Sequence, residues 1–222
     1  SGGLSMAAAA TIYVLAGVNG SGKSSIGGAM IESKGNVYYN PDLAAKKLKA
    51  LHPNMTQSIA NGHAWSLGKE MLEAAALARR TFAFETTLGG QTITERLIEA
   101  AAQGLKLKVW YAGLESVELN IARVQQRVRQ HGHDIPEAAI RQRWNGSRRN
   151  LIRLMPHIDS LRLFDNSRHA DPAAGQCPMP KLILDLRAGV IVGPRELSAA
   201  PEWAKPIIAA ALKLYPHAPP SF

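Results

Sequence analysis

Gly17-Val18-Asn19-Gly20-Ser21-Gly22-Lys23-Ser24 carries the spacing G-x-x-x-x-G-K-S of a phosphate-binding loop. The residue types explain the chemistry. Glycines let backbone N–H groups turn inward around phosphate oxygens. Lys23 sets a cation on the β- and γ-phosphates, and the Ser24 hydroxyl is a candidate ligand for Mg²⁺. Gly17 through Ser24, with Ser25, are thus candidates to hold ATP or GTP. The plainer alternative is a glycine-rich turn with an incidental lysine. The context argues against it, because an apolar run leads in and a helical pattern leads out. That helix adds the positive end of its dipole at the phosphates.

Other reactive groups stand at the ends of other apolar runs. Asp42 follows Asn36-Val37-Tyr38-Tyr39-Asn40-Pro41, and Glu85, Thr86 and Thr87 follow Thr81-Phe82-Ala83-Phe84. Ligands of open α/β sheets bind beyond the carboxyl ends of the strands, which brings these groups and Lys23 to one edge. Phosphoryl transfer to an alcohol needs a held triphosphate, a carboxylate to take the hydroxyl proton, and cations on the γ-phosphoryl. Asp42 is the candidate base. Asn40, Asp42, Glu85, Thr86 and Thr87 are candidates for holding the acceptor. Ordinary helix capping is the competing reading of Asp42 and of residues 85–87. No clear Walker-B signature appears, which disfavours a motor ATPase or a switch GTPase.

Residues 121–153 hold Arg123, Arg127, Arg129, Arg141, Arg143, Arg148, Arg149 and Arg153, against only Asp134 and Glu137. Arg123 and Arg127 are four apart and share a helix face. A basic segment at the ligand edge can close over a nucleotide, neutralise the transferring phosphoryl and exclude water. A solvated basic surface or a nucleic-acid patch is the alternative. His131-Gly132-His133-Asp134 lacks a second ligand pair for zinc and reads as a structural turn.

These groups require a scaffold of alternating strands and helices. Strands are expected at 11–16, 36–39, 81–84, 105–111 and 161–165. Helices are expected from the phosphate loop to about Glu32, from Pro41, over 56–80, 91–103 and 116–130, up to about Met155, and near 201–214. The 56–80 helix carries apolar residues at Ile59, Leu67, Met71, Leu72 and Leu77. Residues 168–180 read as a loop, and 182–192 as a β-hairpin. The pattern predicts an α/β P-loop NTPase fold: a parallel sheet of about five strands flanked by helices. A helical arginine-rich lid at about 116–155 and the C-terminal hairpin decorate it.

Bulk properties agree. A chain of 222 residues, 46% hydrophobic, supports one domain over 1–222. Residues 1–5 read as a cloning remnant before Met6, and 215–222 as a flexible tail. The net charge of +9 favours anionic partners without choosing among them. Aromatic content of 6% and the lack of a base-reading motif make nucleic acid an unlikely partner. One cysteine, Cys177, rules out an intrachain disulfide and fits a reducing cytoplasm. No apolar run approaches the roughly 18 residues that a membrane span needs.

Taken in order, these segments resemble the zeta toxin family of P-loop kinases. The resemblance rests on the phosphate loop, Asn40-Pro41-Asp42, Phe84-Glu85-Thr86-Thr87-Leu88, Gly113-Leu114-Glu115-Ser116, Arg123-Val124 with Arg127-Val128, Gly132-His133-Asp134-Ile135-Pro136, and Asp165-Asn166-Ser167. It covers residues 11–167. It implies a kinase of a small hydroxylated metabolite, best exemplified by UDP-N-acetylglucosamine phosphorylated on the sugar 3′-hydroxyl, and an antitoxin protein as a partner. By motif match it implies nucleotide roles for Lys23 and Ser24, the base role for Asp42, and acceptor roles for Glu85 and Thr87. Arg127 and Arg123 match as phosphate contacts, with Arg141 or Arg143 as a second. Gly62-His63 stands where the family has Gly-Arg, so other acceptors (NAD, a nucleoside, an antibiotic) stay open. A nucleotide-gated nucleic-acid-binding protein is the non-enzymatic alternative.

Overall fold

The computed structural model describes residues 9–27, 38–130, 132–168 and 179–216. The expected helix beyond residue 27, Asn36 and Val37, His131, Cys177, most of the 168–180 loop, residues 1–5 and most of the tail lie outside these ranges.

The strands are β1 (Thr11–Ala16), β2 (Tyr38–Tyr39), β3 (Phe82–Thr86), β4 (Lys106–Gly113), β5 (Ser160–Asp165), β6 (Lys181–Arg187) and β7 (Val190–Gly193). They form one sheet in the order β2-β3-β1-β4-β5-β6-β7. The first five are parallel, and β6 and β7 are antiparallel additions. The hairpin therefore extends the sheet and does not decorate it. Its Leu184 and Leu186 are fully buried.

β1 is central because it can be buried on both faces. Ile12, Val14, Leu15 and Ala16 have no exposed surface, and burying each large apolar side chain stabilises the fold by about 1.5–3 kcal/mol. Ala16 is level with Thr86 of β3 and Tyr111 of β4. That register brings the loop after β1 and the end of β3 to the same edge.

Helix α1 starts at residue 23 and is described to residue 27. It is followed by α2 (Pro41–Leu51), α3 (Gln57–Leu77), α4 (Gln91–Ala102), α5 (Val117–Arg129), α6 (Glu137–Leu154) and α7 (Lys205–Leu214). Local chemistry sets their starts. The Asn40 side chain accepts from the backbone N–H of Asp42 and Leu43 ahead of Pro41, and Ser116 Oγ accepts from Leu119 N–H at 3.2 Å.

Two packing results differ from the sequence pattern. α3 buries Ala60, Ala64, Gly68, Leu72 and Ala75, whereas Ile59, Leu67 and Leu77 are exposed. Ala60 and Ala64 pack against Ala45 of α2 and Gly68 lies under the Tyr39 ring, so size and not hydropathy sets that face. The arginine-rich helices are also built into the body. Leu151 and Leu154 of α6 belong to the main core, and Ile121, Val124, Ile135 and Ile140 pack with Val18 of the phosphate loop. Among the described residues no helix is long and apolar enough to cross a membrane.

Candidate active site

The loop after β1 is shaped by its neighbours. Gly22 has φ +80°, and a Cβ there would lie 2.3 Å from Asn166 Nδ2, which itself donates to Ser21 O at 2.9 Å. At Gly20 a Cβ would meet the Asn120 carbonyl at 2.6 Å, and Asn120 Nδ2 donates to Asn19 O at 2.8 Å. The segment after β5 and helix α5 thus clamp the loop through its own backbone, where only glycine leaves room.

Lys23 Nζ donates to Gly17 O at 3.0 Å. Burial pushes its pKa down, and the Glu85 and Asp42 carboxylates pull it back up. A cation held back by desolvation is suited to receive the negative charge of a polyphosphate. Ser24 Oγ donates to Glu85 Oε1 at 2.8 Å, and the Tyr38 hydroxyl donates to the same oxygen. Glu85 is buried at 5% exposure and ends the apolar run Phe82-Ala83-Phe84. It places an acidic strand end beside the phosphate loop. A hydroxyl and a carboxylate side by side are hard oxygen donors of the kind Mg²⁺ takes together with phosphates. The residues present therefore fit that ion.

Asp42 does not cap α2, because Asn40 does. Its carboxylate is instead half-exposed in a cleft, 3.8 Å from His133 Nε2. The cleft, about 240 Å³, is lined by Asn19, Lys23, Asn40, Asp42, Glu85, Thr86, Thr87, His133 and Arg143. The threonines do not cap α4, whose N-cap Gly90 has no side-chain cap; Thr86 Oγ1 instead accepts from Leu88 N–H at 3.1 Å and Thr87 Oγ1 from Gly89 N–H at 3.2 Å, local turns of the loop before that helix.

The arginines divide sharply. Arg143 lines the cleft, and its Nη1 donates to Asn19 Oδ1 at 2.8 Å. Burial lowers its pKa, and Asp42 opposes that. Arg141 does not reach the cleft. It is exposed and paired to Glu118 at 2.8 Å and Glu137 at 2.7 Å. Arg127 is exposed yet close enough to lower the Lys23 pKa. Arg123 is half-buried beside the loop at Gly20; burial lowers its pKa, while Asp165 and Glu115 raise it. Among the described residues no group of three or more His, Cys, Asp or Glu could hold a metal, and His133 faces Asp42 instead.

Sequence reasoning missed the far wall of the cleft. Asn61, Trp65 and Lys69 of α3 line it, together with Tyr39 and Thr92. The available signal was their i, i+4, i+8 spacing, which puts one amide, one ring and one cation on a single helix face.

Comparisons with known proteins agree with this architecture. The family model described as Zeta toxin matches residues 5–170. An uncharacterised protein of Haemophilus influenzae is 29% identical over 128 residues, 58% of this chain and 88% of that protein. The solved AvrRxo1-ORF1:-ORF2 structure with ATP superposes with a TM-score of 0.60 at 15% identity, over 91% of this chain and 64% of that one. The PezAT chromosomal toxin–antitoxin system of Streptococcus pneumoniae gives a TM-score of 0.52 at 14% identity, over 77% and 74%. This chain thus spans less than two thirds of the AvrRxo1-ORF1:-ORF2 chain solved with ATP, and the structural likenesses show the fold alone, a mostly parallel α/β sheet flanked by helices.

Proposed function

The chain belongs to the zeta toxin family, and we propose on that footing that it transfers the γ-phosphoryl group of ATP or GTP to a hydroxyl of a small metabolite. The observation that carries this reading is the cleft in which separate elements bring Lys23, Asp42, Glu85 and Arg143 together. Nucleotide binding alone would need only the loop.

In the proposed reaction Asp42 accepts the proton of the acceptor hydroxyl as its oxygen attacks the γ-phosphorus. The new O–P bond forms as the bond to the β,γ-bridging oxygen breaks, and the nucleoside diphosphate leaves. Residues 17–25 hold the polyphosphate. Lys23 and Arg143 face the charge on the transferring group, with Arg127 and Arg123 on the nucleotide side. Ser24 and Glu85 would hold Mg²⁺, which neutralises charge on the β- and γ-oxygens when bound. Asn40, Thr86 and Thr87 are proposed to contact the acceptor.

Family membership favours UDP-N-acetylglucosamine, phosphorylated on its 3′-hydroxyl, as the acceptor. It also favours a cytoplasmic kinase held in check by an antitoxin protein, since the PezAT structure is of a toxin–antitoxin system. Incubation with ATP, Mg²⁺ and UDP-N-acetylglucosamine, read by mass spectrometry, tests the acceptor. A phosphorylated nucleotide sugar supports it. Turnover of a different metabolite removes the sugar assignment and keeps the kinase. No transfer to any hydroxyl acceptor defeats both.

A further inference from the structure

The far wall of the cleft is built as firmly as the catalytic one. The Tyr39 hydroxyl donates to the Ala64 carbonyl at 2.5 Å. A Cβ on Gly68 would lie 2.7 Å from Tyr39 Cε1, so the absence of a side chain at Gly68 is what admits the ring. Tyr39 immediately precedes Asn40-Pro41-Asp42. α3 is therefore pinned in register to the segment that carries the proposed base.

That register presents Trp65 and Lys69 to the cleft. Trp65 is 46% exposed, a large aromatic surface facing space that a ligand can occupy. Lys69 follows four residues later, about 6 Å along the axis. Its partner Glu73 stands 3.5 Å away and also binds Arg96 Nε at 2.9 Å. The Lys69 charge is thus only partly matched. Lys23 and Arg143 lie on the loop side of the same cleft, so Lys69 is an additional cation on the acceptor side.

We propose that Trp65 and Lys69 determine acceptor specificity: Trp65 stacks on the base of a nucleotide-type acceptor and Lys69 pairs with that acceptor's phosphate. The inference rests on the phosphotransfer reading above and assigns the residues that read the acceptor. An aromatic platform beside a cation selects a planar ring joined to an anion. It selects against an unphosphorylated nucleoside, a bare sugar or a cationic antibiotic.

The test uses the full chain with its nucleotide site filled by Mg²⁺ and a non-hydrolysable ATP analogue. Binding of UMP, uridine and ribose 5-phosphate is measured by calorimetry for the wild type, Trp65→Ala, Trp65→Phe and Lys69→Gln. Wild type should prefer UMP to both fragments. Trp65→Ala should weaken UMP and uridine about tenfold or more and leave ribose 5-phosphate unchanged, with Trp65→Phe partly restoring both. Lys69→Gln should erase the advantage of UMP over uridine. Steady-state transfer to UDP-N-acetylglucosamine should show a raised acceptor KM with little change in ATP KM. Fragment affinities within twofold of wild type in Trp65→Ala and Lys69→Gln would overturn the proposal while leaving the kinase reading intact. Wild-type protein that binds the ATP analogue but transfers phosphate to no acceptor would instead defeat the reading beneath it.

Discussion

Ser24 Oγ donates to Glu85 Oε1 at 2.8 Å across 61 positions of sequence. The last residue of the phosphate loop and the end of the neighbouring strand thus form one polar pair. Glu85→Gln should keep the hydrogen bonds and lose the charge. The expected result is a roughly 10- to 100-fold loss of metal-dependent turnover. Half-maximal activity should move to higher Mg²⁺, with metal-free nucleotide affinity nearly unchanged. A Mg²⁺ titration checks this, and an unshifted curve would remove Glu85 from the metal site.

The lowered pKa of Lys23 has a definite sign. In the free protein the ammonium form is disfavoured by burial; a bound polyphosphate favours it. Nucleotide binding should therefore take up a proton in the alkaline interval between the free and bound values. Affinity should be flat below that interval and fall as pH rises through it. For folding, the cost of the buried charge is present at low pH and is relieved above the folded-state pKa. Calorimetry in buffers of differing ionisation enthalpy measures the uptake. Lys23→Met should abolish it, and its persistence in that variant would assign it to another group.

Two neighbouring arginines should behave differently. Arg143→Ala removes a cleft cation bonded to Asn19 and should lower transfer about 100-fold or more. Arg141→Ala breaks only exposed ion pairs and should leave transfer within a few-fold of wild type, since such pairs contribute about 0–1 kcal/mol. Single-turnover rates of both variants decide it. Equal losses would contradict the placement of these side chains.

Gly113 faces the buried Trp203 ring so closely that a Cβ would lie 2.1 Å from its Cη2. Gly113→Ala should destabilise the fold by about 1–3 kcal/mol through overpacking, measured by urea unfolding. Trp203→Leu added to it should recover part of that loss. A stability unchanged by Gly113→Ala would mean that the ring has room to move.

Much of this was legible in the residues because the physics is local. The apolar β-branched run at 11–16 can only be a buried strand, and the glycine spacing with Lys23 can only be tight around an anion. Asn40-Pro41 announces a helix start, which frees Asp42 for the cleft. What was not legible depends on three-dimensional neighbours. Arg141 and Arg143 are two apart and chemically identical, and only the rotation of α6 decides that Arg143 faces Asn19 while Arg141 meets Glu118. The Ser24–Glu85 hydrogen bond is not legible because the two residues are 61 positions apart. Trp65 has no role in the sequence pattern, because only the packing of Ala60 and Ala64 against α2 turns it to the cleft.

The central claim is that Asp42 takes a proton from an acceptor hydroxyl beside a bound triphosphate. Its most direct test is single-turnover transfer from ATP to UDP-N-acetylglucosamine by wild type and Asp42→Asn, with nucleotide affinity measured on the same samples. The account predicts transfer by the wild type, a loss of about 10²- to 10⁴-fold in Asp42→Asn, and ATP-analogue affinity within about threefold of wild type. Undiminished transfer by Asp42→Asn, or a loss of nucleotide binding as large as the loss of transfer, would contradict it.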